Sequence, residues 1–236
     1  MNPQKQLKLH DTRKLHYGEY LYKLVLHNPL CTMFRSESQK NGKLSYAREQ
    51  LDILTEKYRN NIPLTRKAFR TEVPLNIDDY LDAKDVYSCL KLANNYKIRV
   101  SPYMTLILYT NDRSLLVRII NKMRVSAEEF WEPRSEEIEL LKQQENIVIV
   151  DTAPQFPLKV WFNTNKVPGG FVDWIEANKD KARIGDRALD YLIKDGHLNG
   201  YYMYIRDERV MQLVYMLAGS SIRRIDKLVY NNNIDK

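Results

Sequence analysis

The 236-residue sequence predicts an α+β chain of two tandem βαββαβ halves with antiparallel sheets, the first half carrying a basic insertion. Three observations predict it. β-type runs of similar character, YLYKLVLHN (20–28) and LKVWFNT (158–164), each stand ahead of helical segments. Each half then carries a turn flanked by further β-type runs. Last, the closing units align without gaps when Asp112 is set on Asp207. Leu115, Leu116, Ile119 and Ile120 then fall on Val210, Met211, Val214 and Tyr215, Tyr109 on Tyr204, and Phe130 on Ile225.

Each element has a local reason. Residues 1–19 are polar and basic and read as an N-terminal arm ahead of the first half, 20–133. In YLYKLVLHN, Tyr20, Tyr22, Leu24 and Leu26 share one face of a strand. SYAREQLDILTEKY (45–58) places Ala47, Leu51 and Leu54 on one helical face. IDDYLDAKDVYSCLKLANN (77–95) continues with Leu81, Val86, Cys89, Leu90 and Ala93. Between these helices lies the insertion, about 59–76, which contains most of RNNIPLTRKAFR. It reflects a strand-to-cap spacing longer in the first half (Lys23 to Asp112) than in the second (Lys159 to Asp207). YKIRV and TLILYT form a hairpin about Ser101-Pro102, and Asp112 caps the next helix through its carboxylate.

Residues 134–157 supply an acidic linker helix and a short strand, Ile147–Val150. The second half, 158–236, has helices at GGFVDWIEANK (169–179) and DRALDYLIKDG (186–196), the latter stopped by Asp195-Gly196. Asn199-Gly200 predicts a tight type I′ hairpin between His197-Leu198 and YYMYIR. Asp207 caps the last helix and Gly219 ends it. Each half thus has the ferredoxin-like order, with its first helical layer split in two.

The net charge is +7, and residues 1–75 hold all of the excess, with fourteen Lys or Arg against seven Asp or Glu. Such asymmetry points to an anionic partner, RNA or single-stranded DNA. No apolar run is long enough to cross a bilayer, so no membrane partner is expected. The N-terminus lacks a signal-peptide core, and Cys31 and Cys89 match no metal or redox spacing. A cytoplasmic location is expected, in the host cytoplasm if the protein is viral.

The candidate nucleic-acid-binding residues are Lys40, Lys43, Arg48, Arg59, Arg66, Lys67, Phe69 and Arg70. Cations among polar residues, with an interleaved aromatic, suit a loop that grips phosphates. No phosphate-cradling glycine loop, H-E-x-x-H, C-x-x-C or G-x-S-x-G is present, and no cofactor is expected. Asp78, Asp82 and Asp85 could share a helical face as metal ligands. Acids in a first helical turn have the simpler role of favouring the dipole, with Asp82 and Asp85 facing water. No metal site or catalytic residue is therefore assigned. A non-catalytic nucleic-acid binder is the leading expectation. A protein-interaction or virion module using the acidic stretch around Trp131 is the second, and a metal-dependent nuclease the third.

NGYYMYIR resembles the third-strand signature of the RNA-recognition motif at Gly200 and Tyr201, then departs with Tyr202 and Met203. In that motif the positions of Tyr202 and Tyr204 point into the core, which leaves Tyr201, Met203 and Ile205 on the other face. YLYKLVL, ILYTND and NGYYMYIRDE together resemble uncharacterised proteins encoded by bacteriophages. That resemblance implies a viral accessory protein and no particular activity.

Overall fold

The computed structural model describes residues 7–35, 44–68, 70–125, 127–143 and 145–230. The chain is mixed α+β, and the described residues form two five-stranded sheets and one two-stranded ribbon. It divides into two units. The first comprises the residues up to Thr12 together with Glu19–Arg134, and the second Arg13–Gly18 together with the residues from Ser135.

In the first unit the order is β1 (Lys8–Asp11), β2 (Tyr22–His27), α1 (Ser45–Arg59), β3 (Thr65–Ala68) and β4 (Thr71–Pro74). There follow α2 (Ile77–Lys91), β5 (Tyr96–Ser101), β6 (Thr105–Thr110), α3 (Arg113–Lys122) and β7 (Ala127–Glu132). The sheet runs β1-β7-β2-β6-β5, with β1 parallel to β7 and the other neighbours antiparallel. Strands β3 and β4 pair only with each other among the described residues. Residues 8–11, expected in a basic arm, therefore form an edge strand.

Alternation on the strands sorts the faces. Leu24, Leu26, Leu106, Leu108 and Phe130 are buried, as are Leu115, Leu116 and Ile119 of α3 and Tyr80, Val86 and Leu90 of α2. Burying one such leucine contributes about 2 kcal/mol. Asp112 caps α3 by accepting from the Leu115 N–H at 3.2 Å, and Asn76 caps α2 by accepting from the Asp78 N–H at 3.1 Å.

Asp82 and Asp85 depart from the expectation that they face water. Asp82 is fully buried and accepts from the backbone N–H groups of Arg124 and Val125 at 2.9 and 3.1 Å. The Arg124 guanidinium reaches Asp82 at 3.1 Å and Asp85 at 3.0 Å. Three donors offset the cost of desolvating Asp82, and the contact fixes the turn between α3 and β7 to α2.

The second unit contains α4 (Ile138–Gln143), β8 (Ile147–Val150), β9 (Leu158–Phe162), α5 (Gly170–Ala177) and β10 (Ala182–Ile184). It continues with α6 (Asp186–Asp195), β11 (Tyr202–Ile205), α7 (Glu208–Ala218) and β12 (Ile222–Tyr230). Its sheet runs β10-β11-β9-β12-β8, with β8 parallel to β12. The Ile149 N–H donates to the Arg13 carbonyl at 2.8 Å, and Arg13 pairs with Asp151 at 2.6 Å, which ties residues 13–18 to this unit. The core gathers Val160, Phe162, Phe171, Ile175, Leu192, Met203, Ile205 and Val214.

Two expectations fail here. The predicted hairpin at Asn199-Gly200 does not form, because β11 is flanked by β9 and by β10, which lies on the other side of α6 in the chain. Helix α6 ends at Gly196 in the left-handed region (φ 68°), its N–H bonded to the Leu192 carbonyl. Only His197 and Leu198 remain before the turn, too few to form a paired strand. Tyr201 N–H donates to the Leu198 carbonyl at 2.9 Å, and Gly200 alone of the pair has positive φ, 76°. That is type II geometry; type I′ needs positive φ at both central residues.

The faces of β11 are also reversed. Met203 and Ile205 are fully buried, while Tyr202 is exposed and Tyr204 half-buried on the outward face. Pairing with β9 sets this register: Met203 lies opposite the buried Val160, and Tyr202 opposite Trp161. Asp207 does cap α7, accepting from the Val210 N–H at 2.9 Å. Gly219 ends that helix in right-handed geometry, leading into a 3-10 turn. No helix among the described residues is long and apolar enough to cross a membrane.

Candidate nucleic-acid interface

A groove of about 590 Å³ opens in the first unit, and among the described residues four separate segments line it. The first follows β2. Asn28 is buried, its amide donates to the Asp79 carbonyl at 2.8 Å, and its side-chain oxygen accepts from the Leu30 N–H at 2.8 Å. Held so, the chain winds into a 3-10 turn, Cys31–Phe34, and delivers Arg35 to the rim.

The second wall is α1. Its buried stripe, Ala47, Leu51 and Leu54, faces the core. Tyr46, Gln50, Ile53 and Lys57 recur at helical spacing and line the groove. The third wall is the β3–β4 ribbon, which contributes Thr65, Arg66, Lys67 and Glu72. Lys57 donates to the Thr65 hydroxyl at 3.2 Å, and that hydroxyl donates to Glu72 at 2.9 Å.

The fourth wall is the turn between β5 and β6, Pro102-Tyr103-Met104. Tyr103 and Met104 both adopt left-handed backbone, φ 67° and 62°, which non-glycine residues rarely do. The Met104 carbonyl accepts from the Asn28 N–H at 2.8 Å and anchors the turn. Tyr103 is 89% exposed at the tip. The Arg66 guanidinium approaches the Met104 sulfur at 3.9 Å.

Of the charged groups on this lining, Arg35, Lys57, Arg66 and Lys67 are cationic and Glu72 is anionic. A concave wall with that excess concentrates positive potential where an anion would enter. Burial pushes the Cys31 thiol above its ordinary pKa despite the nearby Arg35 and Arg66 cations. The thiol is therefore protonated and poorly nucleophilic at neutral pH. The Asp79 carboxyl is raised as well, first by burial and then by Asp82, against the opposing Arg66 cation.

The expected site residues are partly brought together. Arg66 and Lys67 share the groove, while Arg48, Arg59 and Arg70 are exposed outside its lining. Arg48 pairs with Asp52 one turn along α1 at 3.7 Å. Lys40, Lys43 and Phe69 lie outside the described residues. Arg35, Lys57, Tyr46 and Tyr103 were not anticipated; the i, i+4, i+7, i+11 stripe of α1 is the one sequence signal that marks two of them.

Trp131 lies on β7. Its ring stacks on His10 at 4.4 Å between centroids, Lys23 sits 3.8 Å over it, and its indole N–H donates to Glu129 at 3.0 Å. Glu132 pairs with Arg113 at 2.6 Å, and Glu137 is buried. Among the described residues no group of three His, Cys, Asp or Glu side chains is placed to hold a metal ion. No protein-family model, curated protein or solved structure matches the chain.

Proposed function

We propose that the protein is a non-catalytic nucleic-acid-binding protein that grips a phosphate backbone in the groove of its first unit. The observation that carries this reading is the convergence of Arg35, Lys57, Arg66 and Lys67, from three separate segments, on one concave surface. Cations from different segments make successive phosphate contacts along a strand, and the exposed rings of Tyr46 and Tyr103 at the same groove offer stacking faces. The setting is that of a viral accessory protein acting in the host cytoplasm, as the resemblance to phage-encoded proteins implies.

We also propose that the two units are copies of a ferredoxin-like unit. In each, counting the four strands after the parallel edge strand, the fourth lies beside the first, followed by the third and the second. Leu24 lies opposite Leu108 and Phe130, and Val160 opposite Met203 and Ile225. Leu108 and Met203 stand equally far before their caps, Asp112 and Asp207, and Phe130 and Ile225 equally far after them. The second copy departs by carrying α6 between its second and third strands.

The test is anisotropy of a labelled 20-nucleotide single strand across a salt series. Neutralising Arg35, Arg66 and Lys67 together to Ala should weaken binding and flatten the slope of log K against log salt by about 2. Neutralising Arg48 and Arg59, outside the groove, should change little. Unaltered affinity and slope in the triple variant would exclude the groove as the binding surface.

A second reading, a protein-interaction module, draws on α7, where Leu213, Met216 and Leu217 are exposed and Met216 is 83% accessible. Lysine in place of Leu213 and Met216 should then release a stoichiometric protein partner on purification and leave oligonucleotide binding intact.

A further inference from the structure

We propose that the outward face of the second unit's sheet is a base-stacking platform for single-stranded nucleic acid. The face is built by strand register. Trp161 on β9 lies opposite Tyr202 on β11, their ring centroids 4.9 Å apart. Tyr204, two residues along and so about 6.8 Å further on, meets Tyr202 edge-on at 5.4 Å. Three rings thus run along and across two adjacent strands, at a spacing that consecutive bases of an extended strand can follow.

The rings are held in place. The Trp161 indole N–H donates to Asp226 at 2.8 Å, which fixes its plane. Asp226 is buried, and also receives the Arg224 guanidinium at 3.0 Å and the Lys14 ammonium. The carboxylate of this row is saturated, so it does little to repel a phosphate. The cations outnumber it: Lys159, Arg183 and Arg224 share the face, and Arg183 is exposed opposite Tyr204.

Lys159 is the informative residue. Its ammonium lies 3.7 Å from the Tyr202 centroid, 4.5 Å from Trp161 and 5.7 Å from Tyr204, resting on π faces. A cation held on half-exposed rings is weakly retained, and a stacked base offers those rings more. The amine can swing to the phosphate of the base that replaces it. Unpaired bases alone present a free face, so the ligand class is single-stranded RNA or DNA rather than duplex. This inference rests on reading the chain as a nucleic-acid binder and adds to it the strandedness of the ligand and a second surface.

The experiment titrates the full chain with a 15-nucleotide oligothymidylate, following tryptophan emission and a mobility shift in parallel. Wild type should be quenched on binding. Trp161→Phe, which keeps a stacking ring, should lose most of that quench and still bind. Tyr202→Ala, on an exposed face, should weaken binding roughly tenfold or more without lowering the thermal midpoint appreciably. Arg35, Arg66 and Lys67 changed together to Ala should weaken binding yet retain the quench at saturation.

A quench unaffected by Trp161→Phe, wild-type affinity in Tyr202→Ala, or equal quenching by a duplex would overturn the platform. Binding that leaves Trp161 unperturbed would do so while the groove reading survives. A groove variant that binds unaltered, with the quench intact, would remove the groove and keep the platform. No binding of either probe at low salt would remove both.

Discussion

Lys23 and Lys159 occupy matching rows of the two five-stranded sheets, and their surroundings diverge. Lys23 lies between Tyr109 and Trp131 across its strands, and Lys159 between Tyr204 and Asp226. In the first unit a tryptophan holds the β7 position of the row, with His10 opposite it on β1 stacked on its ring and Lys23 over it. In the second an aspartate takes that place, anchors Trp161 from the neighbouring row, and leaves Tyr202 exposed. The backbone register is alike, and the next row differs as well: Val25 lies opposite Ile107 in the first unit where Trp161 lies opposite Tyr202 in the second, so the two outward faces carry their rings in different rows.

The sharpest way to break this comparison is to remove the two buried carboxylates, which do different work. Asp82 satisfies two backbone N–H groups as well as Arg124. Asp82→Ala should cost about 3 kcal/mol in urea unfolding, since buried donors lose their acceptor. Asp226 holds side chains only among its described bonds, so Asp226→Asn, which keeps a hydrogen-bonding oxygen, should cost less and chiefly loosen Trp161. Equal losses would show that Asp226 is as structural as Asp82.

Met203→Ala follows, at about 2–5 kcal/mol for a large core side chain, whereas Tyr202→Ala should cost under about 1 kcal/mol. The same measurement on adjacent residues tests the face assignment of β11. A larger loss from Tyr202 would restore the expected assignment, with Tyr202 and Tyr204 facing the core.

The helix caps should be nearly interchangeable between units. Asp112→Ala and Asp207→Ala should each cost about 1 kcal/mol. Asp112 adds a pH signature, because the Ser114 hydroxyl, with the Leu115 and Ser114 N–H groups, holds its carboxyl below the usual range. A depressed folded pKa gives stability that is complete above the unfolded value, about 4, and is lost as pH falls through the folded one. Acid titration of thermal midpoints should therefore converge for wild type and Asp112→Ala at low pH.

These caps were legible in the sequence because a cap is a local event, an Asp ahead of an apolar helical stripe. The buried faces of β2 and α3 were legible for the same reason. The faces of β11 were not. Its partner, Ala182–Ile184, is three residues long and shows no period, so the nearer His197-Leu198 beside Asn199-Gly200 looked like the other arm. Pairing decides which alternate residues face the core, and a wrong partner inverts them all. The groove was half legible. Arg66 and Lys67 announce themselves in a basic run, but Arg35 and Tyr103 join them only through the Asn28 hydrogen bonds that pin the 3-10 turn and the β5–β6 turn together.

The smallest expected effect on stability bears on the β5–β6 turn of that groove. Gly200 meets its positive φ without strain, whereas Tyr103 is a bulky residue at φ 67° with almost no contact to repay the cost. Asn accepts left-handed backbone better than Tyr, so Tyr103→Asn should leave stability unchanged or raise it by up to about 1 kcal/mol. If the ring is kept in that conformation to stack a base, the same change should lower single-strand affinity several-fold, and Tyr103→Phe should preserve it. Thermal midpoint and anisotropy on the same three proteins separate the two effects. A gain in stability with unchanged affinity would make Tyr103 a strained residue without a role in binding, and would shift the stacking contribution of the groove to Tyr46.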